Sequence, residues 1–190
     1  KKYPQLEINI LTNGVLFTPQ TWQSMIKIHK NLHTIFISLD AAKEDTYNIV
    51  RRGGDLNKAI SNIEFLSTLL NTGTINKLQL DFVVQDTNFR ELPDFVALGI
   101  RLKVSKVYFQ KISNWGSYDS NEFKNKDICS PQHPQHSEFL KVCSNKILSH
   151  QIVKRGNLSR FFPISTRSKI VQFLKRITLL RYLNKYFSRS

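Results

Sequence analysis

The sequence predicts an α/β fold with parallel strands, the later part of an α/β barrel or of an open α/β sheet. Three observations predict it. Apolar, β-branched runs alternate with helical patterns along most of the chain. None of these runs is joined to the next by a hairpin turn. Turn and cap residues, Thr, Asn, Ser and Asp, recur where the apolar runs end.

The elements follow in order. "LEINIL" (6–11) reads as a short strand closed by Asn13-Gly14. Thr18 is an N-cap and Pro19 suits the first turn of a helix, with Trp22, Met25, Ile26 and Ile28 on its apolar side to about Leu32. "TIFISL" (34–39) is a strand, and "KEDTYNIV" a short helix. Asp55 caps a longer helix in which Leu56, Ile60, Ile63, Leu66 and Leu70 recur at helical spacing. "KLQLDFVV" (77–84) is a third strand, "NFRELPDFVALGI" (88–100) is helical, and "KVYFQKI" (106–112) is a fourth strand. The order β, α, β, α, α, β, α, β calls for right-handed crossovers. The strands read as lacking clean polar alternation, which predicts a sheet covered on both faces.

In such folds the chemistry sits at the carboxyl ends of the strands. Those ends are Leu11 to Gly14, Ser38 to Asp40, Val83 to Asn88 and Gln110 to Trp115, an unusually polar set. One at a time they read as caps and turns. Together they form a mouth able to hold a polar small molecule.

The totals set limits. The 190 residues suffice for one domain with a sizeable core. No secretory pattern stands at the start, and no apolar run has the length to cross a bilayer. Two cysteines, Cys129 and Cys143, cannot make a disulfide framework, so a reducing cytoplasm is expected. The net charge is +14, yet no acidic residue follows Glu138, and 12 of the 28 Lys and Arg lie beyond it. The basic character therefore belongs to the tail, not to the body.

The quoted stretches "ILTNG", "ISLDA…DTYNIVRRGG…NI", "FVVQDTN" and "VYFQKISNW", in that order, resemble the radical S-adenosylmethionine enzymes, in particular the subgroup with a SPASM or shorter twitch extension. The resemblance covers roughly residues 4–140 and implies a partial (β/α)6 TIM-like barrel. It further implies S-adenosylmethionine and a [4Fe–4S] cluster as cofactors, a 5′-deoxyadenosyl radical that abstracts hydrogen from a small-molecule or peptide substrate, and an electron donor such as a flavodoxin or ferredoxin. Carried onto this chain, the cofactor-binding residues are Thr12, Ser38, Asp40, Arg51, Phe109 and Ile112. Ser38 and Asp40 reach the cofactor's ribose and amino-acid end, and Arg51 forks onto its carboxylate. Asp40 has an equal alternative as the cap of the next helix. Phe109 and Ile112 line the adenine pocket, with barrel core as the plain alternative. Catalytic residues are not identified.

The family's C-x3-C-x2-C loop is absent. The chain is therefore expected to be a C-terminal piece, with the cluster cysteines upstream and no metal ligands of its own. By itself it is expected to be inactive. Cys129, His133 and His136 copy that spacing but follow the last strand, where an ordinary helix start explains them better than zinc. The expected organisation is barrel over residues 1–115, a twitch-like region over 116–150, and a basic amphipathic helical tail over 151–190. Docking on protein is the plain reading of that tail, and an anionic membrane surface is an alternative. Its aromatic spacing does not suit base stacking, so no nucleic-acid partner is expected. The rival to the enzyme reading is a non-catalytic interaction protein that uses the tail as its working surface.

Overall fold

A computed structural model describes residues 5–163 of the chain. Beyond residue 163, the basic helical tail expected over 151–190 lies outside the described residues. Within them the strands β1 (Ile8–Thr12), β2 (Leu32–Ser38), β3 (Lys77–Val84), β4 (Lys106–Lys111) and β5 (Val153–Lys154) form one sheet in the order β1-β2-β3-β4-β5, and every pair is parallel. Each strand thus lies beside its predecessor in the chain. That order never reverses, so the sheet has no topological switch point of the doubly wound kind.

The helices are α1 (Pro19–Ser24), α2 (Glu44–Val50), α3 (Leu56–Asn71), α4 (Leu92–Arg101), α5 (Ser120–Lys126) and α6 (His136–Cys143). The predicted caps are in place. Thr18 Oγ1 accepts from Thr21 N at 3.2 Å with Pro19 opening α1, and Asp55 Oδ1 accepts from Lys58 N at 2.9 Å at the start of α3. Helix α1 stops at Ser24, well short of Leu32. Trp22 stacks on His29 at 3.7 Å between ring centroids, and a short 3-10 turn at His29–Asn31 leads into β2.

The expectation of a sheet covered on both faces is corrected by the register. On one face stand Ile35, Ile37, Leu78, Leu80, Phe82, Val84, Val107 and Phe109, all fully buried. Helices α3 and α4 pack on this face: a Cβ on Gly14 would meet Ile37 and Ala59, and one on Gly99 would come within 2.5 Å of Val107. The other face carries Asn9, Leu11, Phe36, Ser38, Gln79, Asp81, Lys106, Tyr108 and Gln110. It is polar or half-exposed throughout, and Leu11 is 72% exposed. "KLQLDFVV" and "KVYFQK" do alternate, with Lys77, Gln79, Asp81 and Val83 on one side of β3 and four large apolar residues on the other. A parallel sheet with helices on one face and a polar opposite face is consistent with part of a TIM-like barrel, the polar face being the one turned inward.

The core is aromatic at its centre. Phe82, Phe95 of α4 and Phe109 pack edge to face, and Phe89, Phe139 and Phe161 make a second cluster under α6. Sequence reading found four strands and placed residues 151–162 in the tail. Two of those residues form β5, and the 3-10 stretch that follows folds back on β4, where Asn157 Oδ1 accepts from Lys111 N at 2.9 Å. Two residues carry too little periodicity for a strand to be read from sequence.

Candidate functional site

The first turn after β2 organises the site. Arg51 follows the seven-residue helix α2 and swings its guanidinium back over the tip of β2. Its Nη2 donates to both Ser38 Oγ and Asp40 Oδ2. The other oxygen of Asp40, Oδ1, accepts from Val83 N at 2.7 Å, which ties the group to the tip of β3. Three residues separated by up to thirteen positions are thereby joined at one strand end.

The local backbone is arranged for this. Asp40 sits in the left-handed region at φ 62°, which aspartate tolerates better than most residues. It turns the chain out of β2 while keeping the carboxylate at the sheet's end. After Arg51, Gly53 takes φ +74°, and a Cβ on Gly54 would lie 2.7 Å from the Tyr47 ring and 2.9 Å from the Arg51 carbonyl oxygen. Both glycines of "RRGG" are therefore needed, one for its dihedral and one for its missing side chain.

The electrostatics pull in opposite directions. Burial pushes the Asp40 carboxyl above the usual aspartate value, while the Arg51 charge and the Val83 N–H hold it down. Tyr47 is fully buried beside the pair, its phenol likewise raised by burial. Its hydroxyl and Arg51 Nε have no hydrogen-bond partner among the described residues. Unsatisfied buried donors are costly, and one of these two belongs to the guanidinium at the centre of the site.

Two clefts flank Arg51. One, of about 400 Å³, is floored by Asp40, Arg51, Val83 and Gln110 and rimmed by Ile112 and Trp115. The other, of about 490 Å³, lies between Asn13, Leu16, Tyr47 and Gly54. Trp115 is 90% exposed on a loop pinned by Asn114, whose Oδ1 accepts from Gly116 N and Tyr118 N and whose Nδ2 donates to Tyr118 O.

Four of the six predicted residues come together: Ser38, Asp40 and Arg51 at the guanidinium, with Ile112 on the wall of the cleft of about 400 Å³ beside it. Thr12 does not reach it. Its Oγ1 accepts from Gly14 N at 3.1 Å, a turn bond, and the neighbouring Asn13 is the residue that faces a cleft. Phe109 is on the helix side, fully buried between Phe82 and Phe95, so it belongs to the core between sheet and helices. The capping alternative for Asp40 is overturned. Helix α2 has Lys43 at its N-cap, and the acceptor for Ala42 N and Lys43 N is Glu91 Oε2, at 2.7 and 3.1 Å.

Sequence reasoning missed Glu91, and it passed over Asn88 as one more polar residue at a strand tip. The readable signal was a negative one: no Ser, Thr, Asp or Asn stands at 41–43 to cap the helix. Asn62, quoted in the "NI" stretch, is buried and donates to the Gly14 and Val15 carbonyls at 2.9 Å each, which staples the turn after β1 to α3.

The histidines and cysteines are otherwise engaged. His133 Nε2 lies 2.9 Å from Asn125 O and His136 Nδ1 lies 2.9 Å from Ile128 O. Cys129 and Cys143 are buried, and burial pushes both thiols up to about 12. Among the described residues no group of three or more His, Cys, Asp or Glu is placed to hold a metal ion. Nor is any described helix long and apolar enough to cross a membrane.

Comparison with known proteins adds to this geometry. The chain is 29% identical over 172 residues to GTP 3',8-cyclase of Clostridium botulinum (strain Okra / Type B1), a match over 85% of this chain and 50% of the relative. The same enzyme from the Langeland and Hall strains matches over the same span at 29% and 27% identity. The chain spans about half the length of the curated relatives it matches. A solved structure of TYW1 with a lysine-pyruvate adduct bound aligns at 18% identity with a TM-score of 0.43, over 72% of this chain and 39% of that one. No family model matches the chain.

Proposed function

We propose that the chain is the later half of a radical S-adenosylmethionine barrel, and that its strand tips hold the amino-acid and ribose end of the cofactor. The observation that carries this reading is the placement of Arg51. One guanidinium nitrogen bridges Ser38 and Asp40, while Nε is buried without an acceptor among the described residues. A carboxylate supplied from the cleft would pair with the part of the guanidinium that lines it through charge-assisted bonds. The adjoining cleft of about 400 Å³ has room for part of a nucleoside and opens on the polar face of the sheet.

Bound beside a reduced [4Fe–4S] cluster, the cofactor would supply one-electron chemistry for hydrogen abstraction. This chain's residues bind and orient. Ser38 and Asp40 hold the Arg51 guanidinium in place, Asp40 balances its charge, and Ile112 and Val50 lend apolar surface to the cleft wall. The cluster itself does not fit the residues present. Two buried cysteines with raised thiol pKa values cannot replace three exposed thiolates. In this reading the cluster ligands lie on chain outside the 190 residues, the whole protein acts on an unidentified small molecule or peptide, and a flavodoxin or ferredoxin in the cytoplasm supplies the electron. The alternative of a non-catalytic interaction protein is not favoured, because the relatives are enzymes by name.

Titration of S-adenosylhomocysteine into the isotope-labelled chain tests the reading. Amide signals of Ser38, Asp40, Arg51, Val83 and Ile112 are expected to shift, and Ser38→Ala and Arg51→Ala to weaken binding while the fold persists. If both variants bind as the parent chain does, or the shifts fall elsewhere, the site assignment fails.

A further inference from the structure

Helix α2 carries Arg51 into the site, so whatever sets its start sets where Arg51 lands. Its own sequence supplies no cap, and the nearby Asp40 carboxylate is committed to Arg51 and Val83. The missing acceptor comes from 49 positions away. Glu91, only 5% exposed, places Oε2 on the Ala42 and Lys43 amides. Burying a carboxylate is expensive unless its oxygens are met by donors, and the two amides that lead into α2 supply them.

A second contact comes from the same connection. Asn88 is fully buried. Its Nδ2 donates to Asp40 O and Val83 O at 2.9 Å each, and its Oδ1 accepts from Gln85 N at 2.9 Å. Asn88 therefore grips the peptide that follows Asp40, the residue in the left-handed conformation. A lone aspartate at positive φ keeps that geometry only when its surroundings hold it.

We infer that Asn88 and Glu91, on the connection from β3 to α4, are the positioning residues of the Ser38–Asp40–Arg51 site. Asn88 holds the turn at Asp40, Glu91 holds the start of α2, and the guanidinium closes the ring between them. The functional use of this clamp rests on the cofactor reading above, but its geometry is tested without any ligand.

The test follows exchange of the Arg51 guanidinium protons by nuclear magnetic resonance in the full 190-residue chain, beside the thermal midpoint. Asn88→Ala and Glu91→Ala are expected to speed that exchange about tenfold, as the loss of buried hydrogen bonds allows. Glu91→Gln should restore most of the protection, because its amide oxygen still accepts from Ala42 N. Val96→Ala, a buried α4 residue outside the clamp, is the control for simple destabilisation. It should lower the midpoint and leave Arg51 exchange in place.

Equal acceleration in Val96→Ala, or unchanged exchange in Glu91→Ala, overturns the inference. Should Asn88→Ala fail to fold, the Glu91→Ala and Glu91→Gln pair decides alone. If the clamp behaves as expected and S-adenosylhomocysteine does not bind, the cofactor reading falls and the clamp stands.

Discussion

Replacing Arg51 by methionine would expose the energetic logic of the site. The variant keeps much of the side-chain bulk and removes the charge that faces Asp40. Asp40's side chain is only 10% exposed and that of Arg51 28%. Stripping one partner from a buried pair costs roughly 3–5 kcal/mol. Here the Val83 N–H still serves Asp40, and water reaches the arginine side, so the expected loss is about 2–3 kcal/mol at neutral pH. In a domain of this size that lowers the melting temperature by about 5–10 °C.

The sign with pH follows from linkage. Burial already raises the folded-state value of Asp40, and Arg51 opposes the rise. Without Arg51 the folded value climbs further above the unfolded one. A group raised in this way contributes stability that is present below its unfolded value and is lost as pH climbs through its folded value. The Arg51→Met deficit should therefore be large at pH ~7 and shrink toward pH ~4. Asp40→Asn, which tolerates the same left-handed backbone, should relieve it at neutral pH, with a coupling of about 2 kcal/mol in the double-mutant cycle. Urea titrations of the four proteins at the two pH values measure all of this. A deficit that does not change with pH, together with additive single variants, would refute the reasoning.

Other outcomes are expected from the same structure. Gly54→Ala should cost about 2–3 kcal/mol, because its Cβ strikes Tyr47 and the Arg51 carbonyl. Gly53→Ala, which meets nothing within 4 Å but holds a positive φ, should cost about 1 kcal/mol. A reversed order in denaturation midpoints would contradict the packing described. Asn62→Ala leaves two carbonyls of the turn after β1 without donors and should lose about 1–3 kcal/mol, with faster amide exchange at 13–17 than in β3. Cys129 and Cys143 should resist a thiol reagent at mildly alkaline pH in the folded chain and react together on unfolding. Stoichiometric labelling of the native protein would show that they are not buried.

Much of the architecture was legible because it is local. The caps Thr18 and Asp55, the four longer strands and their alternation with helices all rest on residues a few positions apart. The strand-tip trio was legible in part. Ser38 and Asp40 follow from the end of one strand, and Arg51 from the short helix after it. Thr12 and Phe109 lie apart from the trio for opposite reasons. A threonine hydroxyl can serve its own turn as readily as a ligand, and Gly14 N claims it. A phenylalanine on a strand faces one side or the other by register alone, and the register with Phe82 turns Phe109 to the helices.

The sequence by itself determined the order of elements, the parallel character of the sheet and the polarity of its strand ends, since these depend on short-range periodicity and turn chemistry. Only the tertiary structure decided which face is covered, that Val153 and Lys154 add a fifth strand, and that Asn88 and Glu91 reach 48 and 49 positions back to hold Asp40 and α2. Those contacts join residues whose separation along the chain carries no repeating signal. They exist because buried amides and carboxylates must find partners wherever the packed chain brings them within reach.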